Sequence, residues 1–273
     1  MTLEKINVLT EGSQPYANAT LYLIDASDEF MTNVRPLIIV CPGGGYGFTS
    51  DREAEVVALQ FNAMGYHAAV LRYSVAPARF PTALLEVGQV VLQARANSEK
   101  WHIDPDRIAV VGFSAGGHLA CSYGCLWSQK WVAEKLNAET EQLRPNGMIL
   151  GYPVITSGEK AHHGSFHNLL GDEYDAKKAA VSLENCISED VPPAFIWHTW
   201  EDGAVPVENS ILLASALAEK KIPAELHIFQ HGQHGLGLAN WVTQSRSGAC
   251  VEPPAQQWIP LVRTWLEGWR KHD

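Results

Sequence analysis

Short, wholly apolar runs alternate along this chain with longer amphipathic stretches. The first, Leu37-Ile38-Ile39-Val40, opens behind Arg35-Pro36 and stops at Pro42-Gly43-Gly44-Gly45. Residues 67–73, 108–111, 147–152 and 194–200 are further apolar runs, and 224–230 alternates instead. Between them, Ser50 and Glu53 have the spacing of a capping box, which predicts a helix running to the Gly65 stop. Helices are also predicted over 82 to about 100 and over 207–220. A last one spans about 258 to 269, with Trp258, Leu261, Val262, Trp265, Leu266 and Trp269 on one face. Strands that are apolar on both sides need helices on both faces, so the pattern predicts an α/β chain around a mostly parallel sheet. No repeat, low-complexity tract or linker interrupts it, so one domain over 1–273 is expected. The connection 153–190 is too long for a plain loop. It is expected to hold a short helix or small cap insertion over the site.

Composition narrows the function classes. The 273 residues carry 30 acidic and 20 basic side chains, a net charge of −10. That balance argues against nucleic acid, where Lys and Arg neutralise phosphate, and against an anionic membrane surface. With 46% hydrophobic and 18% charged residues, the chain reads as globular. Residues 108–129 are uncharged and long enough to raise a membrane span, but their glycines, serines and His118 read as strand, turn and helix. Five cysteines, without a CxxC pair, imply no disulfide framework. No basic stretch followed by an apolar run opens the chain after Met1, so a cytoplasmic address is expected.

In a parallel sheet, chemistry gathers at the carboxyl ends of the strands. There the chain reads Gly112-Phe113-Ser114-Ala115-Gly116-Gly117, a GxSxG motif between an apolar strand and a small-residue helix. Ser114 on such a turn is the candidate nucleophile, its hydroxyl exposed by strained backbone geometry. A tetrahedral oxyanion needs two backbone N–H donors. Ala115 is the first candidate, and Gly44 or Gly45, able to approach substrate without a Cβ, is the second. The base and its orienting acid follow in the order acid, then histidine. Asp202 is chosen over Glu201, because Gly203 supplies the turn and Pro206 starts the next helix. His234, out on the loop among glycines, is chosen over His231, which abuts the strand. His162, His163 and His167 lack a carboxylate or cysteine pattern that would complete a metal site. No P-loop or dinucleotide fingerprint appears, so no cofactor is expected.

Taken together, Pro42 to Tyr46, the lead-in Asp104 to Ile108, Gly112 to Gly117, Asp202 with Val205-Pro206, and Gly232-Gln233-His234-Gly235 resemble the α/β-hydrolase esterases. The nearest branch is the acetyl-esterase and hormone-sensitive-lipase-like enzymes, including acetylxylan-esterase-like bacterial proteins. The resemblance runs from about residue 36 to 235. It departs where Pro42 replaces the histidine of the branch's HGGG loop and where Ser74 stands for an arginine. About 35 residues precede the first central strand, which leaves little room for the large N-terminal cap of many relatives.

The resemblance implies an α/β-hydrolase fold and a serine carboxylesterase with the triad Ser114, Asp202 and His234. It implies small acyl groups, acetyl first, and acetylated sugars or oligosaccharides as substrates. A small-molecule ester is then the expected partner, with no nucleic acid and no membrane; self-association is left open. Two other readings share the scaffold. An exopeptidase would need an acidic anchor for a substrate amine, and a non-catalytic binding protein would have lost part of the triad.

Overall fold

The computed structural model describes residues 1–268. Its elements, in chain order, are β1 (Thr2–Asn7), β2 (Asn18–Leu23), β3 (Arg35–Cys41), α1 (Glu55–Ala63), β4 (His67–Arg72), α2 (Thr82–Ala96) and α3 (Ser98–Trp101). There follow β5 (Ile103–Phe113), α4 (Ala115–Leu126), α5 (Lys130–Leu136), β6 (Gly147–Gly151), α6 (His163–Leu170) and α7 (Tyr174–Lys177). The chain continues through β7 (Ala194–Thr199), α8 (Glu208–Glu219), β8 (Ala224–Phe229) and α9 (Trp258–Glu267). Trp269, expected on the apolar face of α9, lies outside the described residues.

The strands form one sheet in the order β1-β2-β4-β3-β5-β6-β7-β8. The pairs β1–β2 and β2–β4 are antiparallel, and all pairs from β4 through β3 to β8 are parallel. The apolar runs read from the sequence are the parallel strands. Their two faces supply two cores. Leu37, Ile39 and Cys41 of β3 pack with α2 and α4 on one side, and Ile38 and Val40 pack with α1 and α9 on the other. Each such side chain stabilises the fold by roughly 1.5–3 kcal/mol on full burial.

Strands β1 and β2 were not expected. In β1 only Ile6 is buried, and Leu3 is 60% exposed. An edge strand of this kind carries almost no apolar signature. The uncharged stretch 108–129 is the end of β5, a turn and α4, as read from the sequence. Among the described residues no helix is long and apolar enough to cross a membrane.

The predicted first helix starts later than expected. Ser50 makes no side-chain cap, residues Asp51–Glu53 form a single 3-10 turn, and α1 begins only at Glu55. Ala54, at φ −111° and ψ −108°, separates that turn from the helix. Segment 153–190 carries α6, α7 and short 3-10 turns.

Register puts the working ends of the strands together. Cys41 aligns with Gly112, Gly112 with Leu150, Phe113 with Gly151, and Gly151 with Trp197. The segments after β3, β5, β6 and β7 therefore leave the sheet along one edge.

On β4, His67 is fully buried. Its Nδ1 accepts from the Ile24 N–H at 3.1 Å, and its Nε2 sits 3.2 Å from the His102 carbonyl. Burial pushes this imidazole down to about 4, whereas an unfolded chain titrates it near 6.5. Between those values the unfolded chain binds a proton that the folded one refuses, so stability falls as the pH falls. Urea unfolding of the wild type between pH 6.5 and 4.5 is expected to lose stability more steeply than His67→Gln. The difference should approach about 1.4 kcal/mol per pH unit; equal slopes would refute it.

Candidate active site

The site is built on the turn between β5 and α4. Ser114 has φ 54° and ψ −121°, a backbone conformation that costs a side-chain-bearing residue roughly 1–3 kcal/mol. Three backbone hydrogen bonds hold it there: its N–H to the Gly151 carbonyl, and its own carbonyl to the N–H groups of His118 and Val154, all at 3.0 Å. The surrounding glycines permit the approach. A Cβ on Gly112 would stand 2.0 Å from the Gly116 carbonyl oxygen, and one on Gly116 would stand 2.1 Å from that of Cys41. Helix α4 thus lies directly against the ends of its own strand and of β3.

Ser114, His234 and Asp202 meet at this turn. Ser114 Oγ is 2.7 Å from His234 Nε2, and His234 Nδ1 is 2.6 Å from Asp202 Oδ2. The His234 ring keeps some exposure while the Asp202 carboxylate has none. Asp202 Oδ1 accepts from the N–H groups of Ala204 and Val205, both at 2.9 Å. Burial by itself favours the neutral acid. Hydrogen bonds from His198, His234 and the Val205 backbone outweigh it and hold the carboxyl well below the usual carboxylate range. The carboxylate is therefore ionised throughout the neutral range. The other two candidates pair with each other instead: Glu201 Oε1 and His231 Nδ1 are 2.9 Å apart, both more than half exposed.

Gly43, Gly44 and Gly45 follow β3 beside Ser114. The Gly43 N–H is taken, donating to Glu53 Oε2 at 2.8 Å. Gly44 (φ 133°) and Gly45 (φ 62°) have left-handed backbones, and among the described residues nothing accepts from either N–H. Ala115 opens α4, so its N–H has no partner within the helix. All three backbone donors thus border Ser114. Pro42 stands where relatives of the resembled branch carry histidine, and the loop finds other supports. Tyr73 Oη donates to the Pro42 carbonyl at 2.6 Å, Asn168 Nδ2 to that of Gly45 at 2.9 Å, and Tyr46 Oη lies 2.9 Å from His118 Nδ1.

Glu53 is the residue sequence reasoning misread. Its side chain is buried (3% exposed). Oε2 takes the Gly43 N–H, and Oε1 takes the Tyr152 hydroxyl at 2.6 Å. Tyr152 Oη in turn accepts from the Gly237 N–H at 2.8 Å, and the Tyr152 ring meets the His234 ring edge-on at 5.1 Å. Next door, Arg52 Nη1 donates to the carbonyls of Gly235 and Thr243 at 2.8 and 3.1 Å. Adjacent side chains thus tie the glycine loop to the His234 loop. The spacing of Ser50 and Glu53 was visible, but Ala54, at φ −111° and ψ −108°, breaks the helical path and lets Glu53 face inward.

Between these loops lies a cavity of roughly 300 Å³, with Gly44, Gly45, Phe48, Arg52, His162 and His234 around Ser114. Hollows of about 390 and 440 Å³ lie elsewhere, but their walls hold no histidine. Of the three histidines clustered in sequence, one goes to the cavity and two to Tyr174. His162 enters the cavity wall, His163 Nδ1 lies 2.8 Å from Tyr174 Oη, and His167 stacks on the Tyr174 ring at 3.8 Å.

The BD-FAE family model matches residues 24–217. The chain belongs to the BD-FAE family. This BD-FAE chain is 40% identical to an acetyl ester-xyloside bifunctional hydrolase from Caldicellulosiruptor lactoaceticus, with TM-score 0.79 over 93% of this chain and 89% of that one. A carboxylesterase from Lactobacillus plantarum superposes with TM-score 0.85 at 30% identity, covering 98% of each chain. An acetylxylan esterase from Xylanibacter ruminicola is 31% identical over 75% of this chain and 42% of its own length. The fold is that of the α/β-hydrolases, and the similarities support the acetyl-esterase-like branch that the motifs resemble. The chain spans about a third to a half of the length of the curated relatives it matches.

Removing the Glu53 carboxylate leaves two buried donors, the Gly43 N–H and the Tyr152 O–H, without their acceptor, each costing roughly 1–3 kcal/mol. Glu53→Ala is expected to lose about 2–5 kcal/mol of unfolding free energy in urea. A loss under about 0.5 kcal/mol, the usual range for a surface substitution, would show that neither contact matters.

Proposed function

We propose that this protein is a serine carboxylesterase that hydrolyses short-chain, acetyl-type esters, with acetylated sugars or oligosaccharides as its substrate class. The observation that carries the reading is the hydrogen-bonded chain from Ser114 through His234 to Asp202, beside backbone N–H groups of Gly44 and Gly45 that find no acceptor among the described residues. His234 Nε2 takes the Ser114 proton as Oγ attacks the ester carbonyl carbon. The carbonyl oxygen becomes an oxyanion and is met by the Ala115 N–H and that of Gly44 or Gly45. As the tetrahedral intermediate collapses, His234 returns the proton to the leaving alcohol and an acyl-Ser114 ester remains. Water then attacks that ester, His234 acting as base again, and the carboxylic acid leaves.

Asp202 accepts the Nδ1–H and so keeps the lone pair of neutral His234 on Nε2, facing Ser114. Its charge also stabilises the imidazolium that forms. A cavity of roughly 300 Å³ is at the small end of ligand sites and suits a short acyl chain. Sugar substrates are supported by the names of relatives, an acetylxylan esterase and an acetyl ester-xyloside hydrolase.

The test compares p-nitrophenyl acetate, butyrate and octanoate. Acetate is expected to be turned over fastest, Ser114→Ala to lose at least about a thousandfold in kcat, and Asp202→Asn roughly 10⁴-fold. A fluorophosphonate should label the wild type at Ser114 and leave Ser114→Ala unlabelled. Undiminished hydrolysis by Ser114→Ala would overturn the mechanism. No hydrolysis of any of the three esters by the wild type would overturn the substrate class and direct attention to aminoacyl amides.

A further inference from the structure

We propose that His162 is a substrate-contacting residue whose Nε2–H donates a hydrogen bond to a hydroxyl or ring oxygen of the leaving sugar, selecting polar alcohols over apolar ones. The inference rests on the esterase reading and deepens it.

His162 lines the same cavity as Ser114, His234, Gly44 and Gly45. It arrives there from the segment between β6 and β7, where it forms the N-cap of α6. Its Nδ1 lies 2.8 Å from Ser165 Oγ and shares the Ser165 N–H, at 3.3 Å, with the His162 carbonyl at 3.0 Å. A ring nitrogen that accepts from a backbone N–H carries no proton of its own, so the neutral imidazole bears its proton on Nε2. Burial, and then the neighbouring His234 imidazole, hold His162 below the usual histidine value, so the neutral ring is the form present at pH 7. Among the described residues nothing accepts from that Nε2.

The ring is also held in place. Ser165 is buried, Asn168 of the same helix donates to the Gly45 carbonyl at 2.9 Å, and the Leu169 carbonyl accepts from the Phe80 N–H at 2.9 Å. Helix α6 is therefore docked on the glycine loop, and the imidazole at its N-cap is held in the wall of the cavity that contains Ser114. A preorganised donor with no protein partner discriminates strongly between ligands that carry an acceptor and ligands that do not. A sugar ring offers acceptors on every side, while a hydrocarbon ring of the same size offers none.

The experiment compares an O-acetylated methyl xyloside with cyclohexyl acetate, using p-nitrophenyl acetate to establish esterase activity. The readout is the ratio of kcat/KM for the first two substrates. The wild type is expected to favour the acetylated xyloside by about tenfold or more, the worth of one such hydrogen bond. His162→Ser retains a hydroxyl that can cap α6 but is too short to reach the ligand, and should bring the ratio down about tenfold. His162→Gln, which carries an amide donor on a longer stem, should restore part of it.

A wild type that hydrolyses cyclohexyl acetate as well as the xyloside overturns the inference without any variant. So does an unchanged ratio in His162→Ser, whatever happens to the individual rates. A wild type inactive on all three esters overturns the esterase reading itself, and the inference falls with it.

Discussion

Everything at this site depends on how closely a helix can approach two strand ends. Gly112 and Gly116 let α4 rest on the backbone of β5 and β3, with carbonyl oxygens where side chains would otherwise be. That contact fixes the Ser114 hydroxyl, the N–H of Ala115 and the glycine loop after β3 relative to one another. A methyl group at either glycine would push these groups apart by more than a hydrogen bond tolerates. The strained Ser114 backbone is the local cost, and the hydrogen bonds to Gly151, His118 and Val154 offset it.

Two carboxylates are buried around this contact, and neither faces a lysine or arginine within hydrogen-bonding range among the described residues. Asp202 is surrounded by imidazoles and backbone N–H groups, Glu53 by a backbone N–H and a phenol. Such dipoles cannot dissociate or swing away, so they hold charge at a fixed place with little reorganisation. The two acids divide the task. Asp202 faces the histidine itself, and Glu53 with Tyr152 holds the backbone on which that histidine and the glycine loop are carried.

The parts legible in the sequence are those whose physical signature is local. A buried parallel strand must be apolar throughout, so β3 to β7 announce themselves in the run lengths. A helix meeting a strand at backbone distance must use glycine, which makes Gly112-Phe113-Ser114-Ala115-Gly116 readable. Asp202 and His234 could be singled out because turn residues surround them at strand ends, and they are the pair found next to Ser114. What escaped notice depends on partners distant in the chain. Glu53 looks like a cap until Gly43 and Tyr152 are beside it, and His162 looks like one of a histidine cluster until its side chain is found in the wall of the Ser114 cavity while His163 and His167 meet Tyr174. Strand β1 escaped because an edge exposed to water needs few apolar residues, whereas β2, Asn18–Leu23, is an inner strand whose short run is broken by Thr20.

The link from Arg52 to Gly235 spans 183 positions, and that from Ser114 to His234 spans 120. A chain made from its amino end therefore has its sharp turn and its serine long before it has the imidazole that meets them. Until the stretch beyond β8 docks against Arg52 and Tyr152, Ser114 Oγ has no His234 to meet and is an ordinary alcohol. The serine and the imidazole thus come together only once the stretch beyond β8 has folded back onto the loops after β3 and β5.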